Sequence, residues 1–159
     1  MRAFEDFAVG DTAAFGPLLV TADAIKSFAA QFDPQPMHLD EAATQNTVVD
    51  GLIASGLHTA CMHMRLLADG WLRDTLCMGS PGVEEVRYLA PVRPGDRLTL
   101  RLEVLDARAS RSRPEMGIIR FRSEMVNADG TAVIRLTSTM LMGRRQAPAS
   151  QAADRSEVP

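Results

Sequence analysis

The chain has 159 residues, 46% of them apolar and 23% charged, which suits one globular domain with a sizeable packed core. A net charge of -3, with one lysine, Lys26, and arginines scattered along the chain, leaves no basic patch suited to DNA or RNA. Glu5 and Asp6 stand where a secretory leader needs an apolar run, and no run reaches the roughly eighteen apolar residues of a spanning helix, so no membrane is expected and the protein is placed in the cytoplasm.

In chain order, Gly10-Asp11 introduces a strand near Thr12 to Val20. Thr21 then caps a helix running through Phe32, on which Ala24, Ile25, Phe28, Ala29 and Phe32 recur at helical spacing. Asp40 caps a short second helix, and the polar, β-branched stretch Gln45 to Asp50 reads as a loop. The run Gly51-Leu52-Ile53-Ala54-Ser55-Gly56 enters a long helix with Ser55 as N-cap, on which Leu57, Ala60, Cys61, Met64, Leu67, Ala68 and Trp71 form an apolar stripe for packing onto a sheet.

From Gly82 onward the pattern changes to strands, expected at Val83 to Tyr88, Arg97 to Ala107, Met116 to Asn127 and Thr131 to Met142. Pro94-Gly95-Asp96 makes a tight turn, and Asp129-Gly130 joins the last two strands as a hairpin. One strand, then helices, then a run of antiparallel strands gives an α+β class, with the long helix laid across one face of a meander. Residues 1–145 read as the single domain. From Gln146 to Pro159 the chain is Ala, Ser, Pro and charge without periodicity, and a mobile tail is expected.

The most informative stretch is Phe32-Asp33-Pro34-Gln35-Pro36-Met37-His38, which places a carboxylate and an imidazole close together around two prolines. Each proline fixes its own φ and biases the preceding residue toward extended backbone, so a stiff loop is expected between Asp33 and His38. On spacing alone the pair is also compatible with an ordinary turn and a helix cap. Its location argues for function. Asp33 falls at the C-terminal exit of a helix, where the dipole repels a carboxylate, raises its pKa modestly and costs roughly 0.3–1 kcal/mol.

Other chemistry-bearing residues give weaker signals. His58 and His63 stand five residues apart, about 140° around a helix, not on one face as zinc ligands at i, i+4 would be, and no metal site is expected. Cys61 and Cys77 have no CxxC spacing and fall in the expected helical region, so both read as reduced core thiols, as His63 reads as core. His58, one turn into the long helix, is a candidate for lining a substrate pocket. Arg87 and Arg93 are candidates for phosphate contacts through charge-assisted hydrogen bonds.

Taken together, Asp33-Pro34-Gln35-Pro36-Met37-His38, the run Gly51 to Gly56, and Arg87-Tyr88-Leu89-Ala90-Pro91-Val92-Arg93-Pro94-Gly95-Asp96 resemble the MaoC-like dehydratases, relatives of the R-specific enoyl-CoA hydratases. The match to the signature Asp-x-Asn-Pro-(Leu/Ile/Val)-His falls on Asp33, Pro36 and His38, with Met37 as the apolar residue. Gln35 stands in place of the usual Asn and Phe32 in place of the usual Gly.

The resemblance implies a hotdog fold, an antiparallel sheet wrapped around a long central helix, and at least a homodimer. It implies Asp33 and His38 as acid and base, and the backbone amide of Gly56 as the polarising donor. The expected activity is reversible hydration of a 2-enoyl thioester, with an acyl-CoA or acyl-carrier thioester as substrate and no cofactor. Gln35, Ser55, His58 and Arg87 are the expected substrate-binding residues. A hotdog acyl-CoA thioesterase and a non-catalytic acyl-CoA-binding module are the alternatives.

Overall fold

The computed structural model describes residues 1–44 and 49–145. Most of the expected loop Gln45 to Asp50 and the whole of the expected tail 146–159 lie outside the described residues. Five strands form one antiparallel sheet: β1 (Thr12–Leu19), β2 (Cys77–Tyr88), β3 (Arg97–Ala109), β4 (Met116–Val126) and β5 (Ala132–Gly143). Their spatial order is β1-β3-β4-β5-β2, so β3, β4 and β5 form a meander and β1 and β2 are its two edges. The helices are α1 (Ala22–Phe32), the single turn α2 (Pro36–Leu39) and the central helix α3 (Gly56–Leu67). This is the expected hotdog arrangement.

The strand bounds agree with the expectation to within two residues, except that β2 begins six residues early, at Cys77. Alternation explains the core. On β3, Leu98, Leu100, Leu102 and Val104 turn inward, and on β4 Ile119, Phe121 and Met125 do the same. Trp71 fills the far end of the core, edge-on to both Phe7 and Phe121. The Asp129-Gly130 turn forms as expected, with Gly130 at a φ of 82° and the Asn127 side chain accepting from the Asp129 and Thr131 amides.

α3 is turned away from the expected orientation. Its buried residues are His58, Thr59, Met62, His63, Leu66 and Leu67, whereas Leu57 and Met64 are 56% and 49% exposed and Cys61 is also exposed. Of the expected stripe, Ala60, Leu67 and Trp71 do meet the core, Leu57, Cys61 and Met64 do not, and Cys61 is not a core thiol. Cys77 likewise lies in a strand and is half-buried. Specific partners explain the rotation. His63 Nε2 is 2.7 Å from Ser123 Oγ on β4, and the His58 ring stacks on Phe28 of α1 at 4.7 Å and 8°. His63 thus faces the interior as expected, His58 joins it, and Leu57 and Met64 of the expected stripe look outward.

Candidate active site

α1 ends where the prolines require it. Thr21 Oγ1 accepts from the Ala24 amide at the start of α1, and Asp33 closes its end with non-helical backbone (φ -155°, ψ 69°) before Pro34. Pro36 then occupies the first position of α2, where a missing N–H costs nothing, and α2 carries His38 into the protein. The expected stiff loop is therefore an extended step followed by one helical turn.

The segment before α3 is clamped on both sides. The Ile53 amide donates to Met37 O (3.3 Å), the Ile53 carbonyl accepts from His38 Nδ1 (2.9 Å), and the Ala54 amide donates to Val92 O (2.8 Å). These bonds set α2, the start of α3 and the strap after β2 around one hollow. About 580 Å³ in volume, it is lined by Asp33, His38, Gly56, Tyr88 and Arg93 among others. A larger hollow of about 800 Å³ lies on the outer sheet face, where Arg122 pairs with Glu103 and Arg135 with Glu124; it holds no histidine.

Asp33 and His38 face each other with Oδ2 and Nε2 3.5 Å apart. That gap is too long for an ordinary N–H···O bond, yet one small molecule can touch both atoms. The Ile53 carbonyl can only accept, so Nδ1 carries the proton of the neutral His38 ring and Nε2 offers a lone pair toward Asp33. Ser55 Oγ–H donates to Asp33 Oδ2 (2.5 Å) and Gln35 Nε2–H to Oδ1 (2.7 Å). These bonds, Ser55 first, hold the Asp33 carboxyl below the usual carboxylate range, aided by the nearby His38 and opposed by partial burial. This reverses the expectation from the helix end: two direct hydrogen bonds outweigh a dipole that acts along the helix axis.

Gly56 is the first residue of α3, so its N–H has no intrahelical acceptor and points out of the positive end of the helix. The site thus holds two proton acceptors, one donor at a helix start and a concave wall. Ser55 is buried and serves differently from the expectation. Its hydroxyl accepts from the Leu57 amide while donating to Asp33, which places it behind the carboxylate.

A model of the MaoC-like domain family matches residues 6–124, a span that includes every residue of this arrangement. The chain belongs to the MaoC-like family. It is 40% identical to the crystal structure of the MaoC-like dehydratase from Rhodospirillum rubrum, with a TM-score of 0.85, covering 92% of this chain and 100% of that one. It is 34% identical over 116 residues to the uncharacterized protein YdeM of Bacillus subtilis, 72% of this chain and 80% of that one. It is 26% identical over 151 residues to the (R)-specific enoyl-CoA hydratase of Rhodospirillum rubrum, 91% of this chain and 94% of the relative.

Two expected site residues of this MaoC-like chain stand elsewhere. His58 does not line the hollow; its ring is buried against Phe28, its Nδ1 bonds nothing, and burial pushes its pKa down. Arg87 is on β2, exposed, with its Nε 2.6 Å from Glu85 Oε1, and it too lies outside the lining. Arg93 does line the hollow, but its guanidinium is engaged by the Asp50 and Val49 carbonyls (2.5 and 2.6 Å), so it ties down the chain before Gly51. Three contributors carry no sequence signal strong enough to single them out: the Ile53 carbonyl, the Thr59 side chain and the Tyr88 ring. The Ile53 group is backbone and has none, and Tyr88 is the last residue of a strand whose facing the pattern leaves open.

Proposed function

We propose that the protein is an acyl-thioester hydratase/dehydratase that adds water reversibly to a 2-enoyl-CoA, or a related acyl-carrier enoyl thioester, to give the 3-hydroxyacyl thioester. The observation that carries this reading is the 3.5 Å gap between His38 Nε2 and Asp33 Oδ2, opening on the same hollow as the Gly56 amide. The relative named (R)-specific enoyl-CoA hydratase supports it.

The geometry suggests how water would be handled. Asp33 and His38 present two acceptors, so one water can donate a hydrogen to each and turn its oxygen lone pair toward C3 of the enoyl group. As the C3–O bond forms, one acceptor takes a water proton and the C2=C3 electrons move toward the thioester carbonyl. Charge grows on the carbonyl oxygen, where the Gly56 N–H stabilises it; removing one such donor costs about 10²–10³ in kcat in well-studied cases. The proton is then delivered to C2, and the reverse path expels water. Atoms balance without any further reactant. The acyl and pantetheine parts would lie along the apolar wall of Met37, Leu89 and Val92.

A homodimer is part of the same reading. β2 is an edge strand with exposed Met78, Val83 and Val86, and α3 exposes Leu57 and Met64. An edge strand and a helix face that each expose apolar side chains are the kind of surface that a second copy covers. The direct test of the activity is steady-state hydration of crotonyl-CoA and longer enoyl-CoAs, followed by loss of the conjugated thioester absorbance. Turnover with formation of 3-hydroxyacyl-CoA is expected. Thiol release from saturated acyl-CoA, or binding without turnover, would replace this reading with a thioesterase or a binding module.

A further inference from the structure

We propose that the phenol hydroxyl of Tyr88 is a second donor to the thioester carbonyl oxygen, converging on it with the Gly56 N–H; this rests on the thioester reading above. Tyr88 is the last residue of β2, opposite Ile134 on β5, and its backbone neighbour Leu89 is held by the Val133 carbonyl at 2.9 Å. The ring thereby reaches across the hollow to the start of α3. A Cβ built on Gly56 would lie 3.1 Å from Tyr88 Cζ and 3.2 and 3.4 Å from Cε1 and Cε2. Those atoms are the hydroxyl end of the ring. The O–H therefore stands one C–O bond from a carbon already against Gly56, and the absence of a side chain at Gly56 is what admits the ring this close to the start of α3.

The other polar side chains of the described lining are already committed. Gln35 Nε2 donates to Asp33, Thr59 Oγ1 to the Ser55 carbonyl, and the Arg93 guanidinium to two backbone carbonyls. His38 Nδ1 is taken by Ile53, which leaves Nε2 facing Asp33. Among the described polar lining residues, Tyr88 is the one whose side chain makes no hydrogen bond to the protein. A carbonyl oxygen has two lone pairs, and a single backbone N–H satisfies one. Two donors meeting at the oxygen where charge develops is the arrangement that stabilises it best, and the phenol is placed to be the second. This makes Tyr88 a catalytic residue, a role distinct from that of an apolar wall.

Tyr88→Phe keeps the ring over Gly56 and removes only the hydroxyl. For wild type and variant, two quantities are measured: kcat and KM on crotonyl-CoA, and the isotope-edited infrared stretch of the thioester carbonyl of bound butyryl-CoA, which cannot be hydrated. The expected results are a kcat lower by about 10- to 100-fold with KM within about twofold, and a bound carbonyl frequency that moves back up toward the free value. An unchanged carbonyl frequency overturns the proposal, as does an unchanged kcat in an active enzyme. If wild type hydrates no enoyl-CoA but binds butyryl-CoA with a lowered frequency that Tyr88→Phe restores, the hydratase reading fails and the Tyr88 assignment stands. Failure of wild type both to hydrate any enoyl-CoA and to bind butyryl-CoA overturns both.

Discussion

Ser55 Oγ lies 2.5 Å from Asp33 Oδ2, joining the residue that ends α1 to the residue that caps α3. The same hydroxyl accepts from the Leu57 amide at 3.2 Å, so one side chain both starts the central helix and fixes the carboxylate beside it. Helix capping and carboxylate positioning are thereby coupled, and the position of Asp33 relative to the Gly56 amide follows from how α3 begins.

Ser55→Ala should therefore act on the rate and on its pH dependence together. The Ser55 hydrogen bond is the foremost cause of the lowered Asp33 pKa, and its loss moves that pKa up toward the ordinary carboxylate value. Because the reaction needs Asp33 ionised, the acid limb of the kcat/KM profile shifts to higher pH in the variant. A carboxylate freed to drift lowers kcat as well, by up to about 100-fold. A profile with the acid limb and plateau of wild type would mean that Ser55 only caps the helix.

His63 gives a stability prediction. Burial pushes its pKa from the ordinary 6.5 down to about 4, while Ser123 Oγ meets its Nε2 at 2.7 Å. The sign follows from proton counting: between pH 6.5 and 4 the unfolded chain binds a proton here that the folded protein does not. This contribution is thus complete above about pH 6.5 and is lost as pH falls toward 4, by up to about 3 kcal/mol. Urea unfolding of wild type and His63→Gln at pH 7.5 and 4.5 measures it. The variant, with no imidazole to protonate, should lose less stability on acidification; equal losses would contradict the assignment.

Leu57→Glu combined with Met64→Glu places two charges on the outward face of α3, where both side chains are about half exposed in the isolated chain. Light scattering coupled to size exclusion should find wild type at twice the chain mass or more and the double variant at the monomer mass, with the far-ultraviolet circular dichroism unchanged. Equal masses for the two proteins would show that this face is not an interface.

Much of this could be read from the chain. The strands were legible because period-two alternation and the Asp129-Gly130 and Pro94-Gly95-Asp96 turns are local signals, and the end of α1 because Pro34 and Pro36 admit no continuation. The orientation of α3 was not. Leu57, Cys61 and Met64 have helical spacing, but apolar periodicity does not say whether a face meets the chain's own sheet or another surface; His63 reads as core and is buried on Ser123, whereas the stacking of His58 on Phe28 has no local signal. Asp33 and His38 stood out as a local motif. The role of Ser55 did not, since its hydrogen bond to Asp33 joins residues 22 positions apart that only the fold brings together. Arg87, by contrast, pairs with Glu85 only two residues earlier on the same strand, a local contact that the pattern of the sequence does not single out.

The central claim is that Asp33 and His38 act on one shared water. Steady-state kcat/KM on crotonyl-CoA for Asp33→Asn, His38→Ala and the double variant, each confirmed folded, tests it most directly. Groups that work as a unit give non-additive losses, so each single substitution should lower kcat/KM by about 10²–10⁴ and the double should fall little further. Near-normal turnover in either single variant, or losses that multiply in the double, would contradict the shared-water account.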